Sequence, residues 1–207
     1  EMARWLHRRL PWCSGANRGI GHYVNFVGGM EIYVIRHTRV SIDSGICYGQ
    51  SDVDLAQTFE QELGMYKSCL PSDFDKVYSS PLKRCHLVAD ALSPDNVMTD
   101  NRLMEMNFGD WELKSWSEID SPDARNWMDN YTDVSAPNGE SMQDLFNRVK
   151  EFYQLVKNEN ETKILMVTHA GVIRCLWALL LDIPLHNAFK IPVGFGETLL
   201  IDGVYDL

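Results

Sequence analysis

Three short apolar segments, each ending in a basic or imidazole side chain, restrict this chain more than any other feature. The first is Ile32-Tyr33-Val34-Ile35-Arg36-His37-Thr38, with a strand predicted over Ile32–Arg36. The second is Ile164-Leu165-Met166-Val167-Thr168-His169-Ala170-Gly171. The third is Lys76-Val77-Tyr78-Ser79-Ser80-Pro81-Leu82-Lys83-Arg84, where Pro81 suits the first position of a helix and Arg84 then falls in its first turn. Apolar strands alternating with helical patterns predict a largely parallel sheet covered on both faces. In such sheets ligands bind beyond the carboxyl ends of the strands. Two imidazoles and two guanidiniums are therefore expected along one sheet edge, the equipment for holding a phosphoryl group and attacking it.

Between these segments the helical signals are clear. Leu55, Phe59, Leu63 and Tyr66 keep a helical spacing, which predicts a helix over about 55–69 with Asp54 as its N-cap. Leu82, Cys85, Val88, Ala89 and Leu92 share one face of a helix begun at Pro81. The clearest helix carries Met142, Leu145, Phe146, Val149, Phe152, Tyr153 and Val156 at i, i+3, i+4, i+7. Ser141 with Asp144 forms a capping-box pattern at its start. Gly171 to Leu181 reads as an apolar helix, with short strands at Val97–Thr99 and Thr198–Ile201. Arg102 to Glu112 reads as a loop, and the Trp-rich residues 115–138 as short helices of an insertion, a candidate lid.

Residues 1–30 differ from the rest: four arginines stand against the single acid Glu1, in a chain of net charge -10. They are expected to be a leader or an added extension outside the fold, with residues 31–207 forming the domain. A net charge of -10 argues against a nucleic-acid surface, which would need a basic face. It does not exclude an anionic substrate, because nearby arginines outweigh distant, screened surface charge. The longest strongly apolar run, Cys175 to Leu181, is too short to span a bilayer. Five scattered cysteines without a C-x-x-C pair fit reduced thiols in a cytoplasmic protein. The histidines show no metal-ligand spacing, so no metal or other cofactor is expected. Trp111, Trp116, Trp127 and Trp177 are expected in the core, and His86 and His186 at the surface. Oligomeric state is not legible.

Four motifs in order carry a resemblance. Arg36-His37-Thr38, Ser80-Pro81-Leu82-Lys83-Arg84, Leu103-Met104-Glu105 with Phe108-Gly109-Asp110-Trp111-Glu112, and Thr168-His169-Ala170-Gly171 resemble the R-H-G/T, S-P-x-x-R, L-x-E-x-x-F-G-x-W-E and second-histidine elements of the histidine phosphatase superfamily. The match runs over residues 31–207 and implies the phosphoglycerate mutase-like fold, a three-layer α/β/α sandwich with a mostly parallel sheet. It also implies a metal-independent phosphomonoesterase acting on a small phosphate ester. His37 would be the nucleophile, and Arg36, Arg84 and His169 would complete the phosphate pocket. Glu105 would be the proton donor, with Glu112 as the nearby second candidate. Thr38 and Ala170 stand where glycines are commoner and would line the pocket. Gly45-Ile46-Cys47-Tyr48-Gly49-Gln50-Ser51-Asp52-Val53 is similar to a run in α-ribazole phosphatases, which implies α-ribazole 5′-phosphate as substrate. Tyr48 offers a flat face on which an aromatic base can stack. The rival readings are a phosphoglycerate mutase, a broad sugar-phosphate or phosphoprotein phosphatase, and a non-catalytic phospholigand-binding module.

Overall fold

The computed structural model describes residues 29–203, together with the backbone of residues 4–6 and 21–25. Strand β1 is Arg4–Leu6, β2 Gly21–Asn25, β3 Glu31–Arg36, β4 Lys76–Ser79, β5 Val97–Thr99, β6 Lys163–Thr168 and β7 Thr198–Asp202. They form one sheet in the order β1-β2-β7-β3-β6-β4-β5. The β3–β6, β6–β4, β4–β5 and β2–β7 pairs are parallel, whereas β3–β7 and β1–β2 are antiparallel. The helices are α1 (Phe59–Cys69), α2 (Lys83–Leu92), α3 (Trp116–Ile119), α4 (Pro122–Asn130), α5 (Met142–Val156) and α6 (Ala170–Leu181).

Alternation along the strands builds two cores. In β3, Ile32 and Val34 face one cluster while Tyr33 and Ile35 face the other. Ile164 and Met166 of β6 divide from Leu165 and Val167 in the same way. This is the period-2 geometry of an extended chain, with both faces covered. One core is closed by α5 and α6, the other by α1 and α2. In α5 the apolar stripe buries Leu145, Val149, Phe152 and Tyr153. Each such side chain contributes about 1.5–3 kcal/mol by leaving water. Ser141 and Asp144 close the capping box, each side chain meeting the other's backbone N–H, as the sequence pattern implies.

Two helix starts differ from expectation. Helix α1 begins at Phe59 rather than near Leu55. Leu55 instead bridges Val40, and Ala56 N–H donates to the Arg39 carbonyl, so this stretch pairs with the loop after β3 before the helix begins. Asp54 caps nothing and forms an exposed ion pair with Lys83. Helix α2 begins at Lys83, with extended Leu82 as N-cap and Pro81 before it. Arg84 still falls in the first turn.

The sheet also contains β1 and β2, which lie in the segment set apart above as a leader. Charge composition says nothing about backbone pairing, and the outer edge of β7 offers the unpaired N–H and C=O groups that a further strand can take up. The first thirty residues therefore do contribute strands to the sheet. We propose that residues 31–207 nevertheless hold both cores and the site. A chain starting at Met30 should retain phosphate-ester hydrolysis within about threefold. Loss of activity together with a large fall in melting temperature would show that β2 is integral to the domain.

Candidate active site

Because β3, β6 and β4 run parallel, their carboxyl ends meet at one edge. Arg36 is in register with Thr168, and Ser79 with Val167. The next residues keep this pairing: His37 N–H donates to the Thr168 carbonyl at 2.9 Å, and Ser80 N–H to the Val167 carbonyl at 3.0 Å. Neighbouring strands lie about 4.8 Å apart, so side chains leaving adjacent ends are forced close together. The His37 and His169 rings accordingly lie 5.2 Å apart, centroid to centroid. His37, Thr38, Ser80, Arg84 and His169 are all buried.

His37 Nδ1 lies 2.7 Å from the Thr38 carbonyl oxygen. A carbonyl only accepts, so Nδ1 carries the proton and, in the neutral ring, Nε2 keeps its lone pair. Burial lowers the His37 pKa to about 3, reinforced by the Arg84 and Arg36 charges and opposed by the Thr38 bond. Burial likewise pushes His169 well below its ordinary value, followed by the neighbouring His37 and Arg84. Its Nε2 lies 2.8 Å from Ser80 Oγ and 3.3 Å from Cys85 Sγ. Both imidazoles are therefore held neutral.

The arginines are fixed by the main chain. Arg36 Nη1 donates to the Val193 carbonyl at 2.7 Å, and its guanidinium lies 3.8 Å from the centre of the Phe195 ring. Arg84 donates to the Ser51 and Gly49 carbonyls at 2.8 and 2.6 Å, with Tyr48 over its guanidinium at 5.2 Å. Cation–π contact at this range orients a guanidinium without using its N–H groups. Arg36 Nε and Arg84 Nε are buried and have no hydrogen-bond partner, and neither does Thr38 Oγ1. Buried donors are ordinarily paired. Three partnerless donors from residues around one neutral imidazole describe a site for an oxyanion.

The carboxylates divide their work. Glu112 accepts from Gln50 N–H, Ser51 N–H and Phe108 N–H at 2.8, 2.6 and 3.1 Å, and from the Ser51 hydroxyl. Both its oxygens are occupied in fastening the loop that wraps Arg84. Gly49 in that loop has φ +30, and a Cβ there would collide with the Glu112 carboxylate and the Met106 carbonyl, so the run through Tyr48 and Gly49 has a structural reason of its own. Glu105 accepts from Met106 N–H at 3.0 Å and from Gly171 N–H, at 3.1 and 3.3 Å to its two oxygens. Gly171 is the second residue of α6, immediately after His169 and Ala170, so the Glu105 carboxyl is held close to the histidine edge. A Cβ at Gly171 would strike that carboxyl. Of the two candidate acids, Glu105 is the one whose carboxyl meets the start of α6, two residues beyond His169.

Arg36, His37, Thr38, Arg84 and His169 thus lie at one sheet edge, with Ala170 opening α6 and Tyr48 half-exposed against Arg84. Ser80 and Phe195 were not foreseen as contacts. Ser80 lay inside the S-P-x-x-R pattern, but Phe195 carries no sequence signal, since it arrives from the loop before the antiparallel β7. The tryptophans are core: Trp111, Trp127 and Trp177 are buried, and Trp116 stacks on Trp127. His86 and His186 are exposed. Among the described residues no cluster of His, Cys, Asp and Glu could hold a metal ion, and no helix is long and apolar enough to cross a membrane. Cys47, Cys69, Cys85 and Cys175 are free thiols, and Cys13 lies outside the described residues.

The family model of the histidine phosphatase superfamily (branch 1) matches residues 32–202. The chain belongs to the histidine phosphatase superfamily. This histidine phosphatase is 31% identical over 183 residues to the adenosylcobalamin/alpha-ribazole phosphatase of Escherichia coli (strain K12), covering 84% of this chain and 90% of that one. It is 27% identical over 166 residues to phosphoserine phosphatase 1 of Hydrogenobacter thermophilus, covering 75% and 78%. The structure of the alpha-ribazole phosphatase from Shigella flexneri superposes with a TM-score of 0.77 at 27% identity, over 84% of this chain and 90% of that one. The phosphoglycerate mutase-like fold expected from the sequence is therefore present, with its mixed, mostly parallel sheet and helices on both faces.

The neutral state of the imidazoles has a cost that a measurement can find. The folded pKa of His37 lies below the value of about 6.5 that an unfolded chain shows. Between these values the unfolded chain takes up a proton that the folded protein refuses, so stability is lost as pH falls from about 7. His37 alone should contribute a loss of roughly 3 kcal/mol between pH 6.5 and about 4. The melting temperature should therefore fall on acidification more steeply in the wild type than in His37→Asn. Equal slopes would contradict a neutral, desolvated His37.

Proposed function

We propose that this histidine phosphatase hydrolyses phosphate monoesters through a phosphohistidine at His37. The observation that carries the reading is the set of partnerless buried donors on Arg36, Arg84 and Thr38 around an imidazole whose free lone pair is on Nε2. Nε2 attacks phosphorus while the bond to the leaving oxygen breaks. The guanidiniums bind the equatorial oxygens and neutralise developing charge, and neutral His169 completes the pocket. Glu105 acts as the general acid that delivers a proton to the leaving alkoxide. The same carboxylate then takes a proton from water, whose oxygen attacks phosphorus and releases His37 and inorganic phosphate. A binding module without catalysis would not need a nucleophile held neutral beside a carboxyl group. Activity against p-nitrophenyl phosphate in EDTA tests the enzyme reading, and its absence would favour the binding module.

For the substrate we propose α-ribazole 5′-phosphate, which would place the enzyme in cobalamin assembly in the cytoplasm. Support comes from the run Gly45–Val53 and from the relatives named for that activity. Tyr48 rests on Arg84 and remains half-exposed, so a phosphate bound by Arg84 lies beside an aromatic surface. Phosphate contacts alone treat all monoesters alike, and selectivity must come from what meets the leaving group. The expected result is a higher kcat/KM for α-ribazole 5′-phosphate than for 3-phosphoglycerate, phosphoserine or sugar phosphates. Tyr48→Ala should erode that preference by about tenfold, the scale of one lost stacking contact. A better rate with phosphoserine or 3-phosphoglycerate, or mutase activity exceeding hydrolysis, would replace this substrate and leave the His37 chemistry standing.

A further inference from the structure

Glu105 sits in a stretch with no strand partner, yet its main chain is gripped on both sides. Arg148, on α5, donates Nη1 to the Arg102 and Met104 carbonyls, at 2.7 Å each, and Nη2 to the Glu105 carbonyl at 2.9 Å. Its Nε and Nη2 also meet the two oxygens of Glu140 at 2.8 and 2.9 Å. That accounts for all five N–H groups of the guanidinium. Glu140 in turn accepts from Asn107 N–H at 2.8 Å, while its own N–H donates to the Asn107 carbonyl at 2.8 Å. Gln50 adds a second donor to the Glu105 carbonyl at 2.9 Å. The backbone on either side of Glu105 is therefore tied down through residues 102, 104, 105 and 107. The carboxyl group itself rests on Gly171 N–H.

A half-buried ion pair is a poor way to gain stability, because desolvation offsets most of the attraction. Apolar side chains would pack α5 against this loop as well. A fork that binds three carbonyls and one carboxylate at once does something packing cannot: it fixes where the loop's side chains point. We propose that Arg148, locked by Glu140, is a positioning residue for the proton donor, holding the Glu105 carboxyl over the leaving oxygen. This rests on the reading of Glu105 as general acid. Misplacing a catalytic group by about 1 Å is expected to cost about 10²-fold.

The test separates proton delivery from folding by leaving group. Arg148→Lys keeps the charge but cannot span the three carbonyls and both carboxylate oxygens. It should lower kcat on an alkyl phosphate about 10- to 100-fold. On p-nitrophenyl phosphate, whose leaving group needs little protonation, the loss should stay within about threefold. Inhibition by inorganic phosphate should be unchanged. Glu140→Gln, which keeps an acceptor for Asn107 N–H, should show the same selectivity at smaller size and serves if Arg148→Lys does not fold. In a Glu105→Gln background, Arg148→Lys should add almost nothing, since the group it positions is gone. Equal losses on both substrates, or no loss on either, would overturn the positioning role. If Glu105→Gln itself shows no leaving-group dependence, the general-acid reading fails first and the inference falls with it. If Glu105→Gln shows the dependence and Arg148→Lys does not, only the inference fails.

Discussion

His37→Ala is expected to abolish turnover. Removing the covalent nucleophile of a serine protease costs about 10⁶-fold in kcat. Here no second group stands ready, because His169 is engaged with Ser80 and Cys85. The wild-type enzyme, quenched shortly after mixing with labelled substrate, should carry an acid-labile phosphoryl group that the variant lacks. The variant should still bind phosphate, since Arg36 and Arg84 are held by backbone carbonyls and not by His37. Residual activity above a few per cent would remove His37 from the mechanism. A phosphoenzyme that persists in the variant would do the same.

Glu105→Gln should be nearly as damaging on natural leaving groups. The amide keeps the size and can still accept from Gly171 N–H, so the local structure should survive. It can neither deliver nor remove a proton, and losing one acid–base catalyst typically costs ~10²–10⁴-fold. The loss should shrink with p-nitrophenyl phosphate, whose leaving group departs as a stable anion. Equal losses on p-nitrophenyl and alkyl phosphates would assign Glu105 to structure. Glu112→Gln makes the useful contrast. That carboxylate is spent on Gln50, Ser51 and Phe108, so its variant should lose melting temperature and damage both substrates alike.

The failures of sequence reading have physical causes. Helix α1 was expected to start near Leu55 because a helical period gives no sign of the bridge from Leu55 to Val40 that delays it. Glu105 was preferred to Glu112 only through the motif resemblance, because both flank the same Gly and aromatics; the partners of each carboxylate now separate them physically. The contact of the Tyr48 ring with Arg84, and the enclosure of that arginine by the same loop, had no signal in the sequence because they join residues far apart in the chain. Phe195 was invisible because its place depends on β7 running antiparallel beside β3.

What the sequence by itself determined is the local chemistry. Apolar period-2 strands define a sheet with two buried faces, and residues directly after those strands must emerge at its edge. Hence Arg36, His37 and His169 could be placed at strand ends, and Arg84 in the first turn of the helix after one, while their roles came from the motif resemblance. What only the tertiary structure decided is electrostatic state and attachment. That His37 is neutral, with Nδ1 protonated, follows from burial, two neighbouring guanidiniums and the Thr38 carbonyl. That the Glu105 carboxyl meets Gly171 N–H, and that its carbonyl meets an arginine 43 residues away, follows from packing alone. Desolvation and long-range hydrogen bonds depend on which surfaces the fold brings together, and a linear pattern carries no record of them.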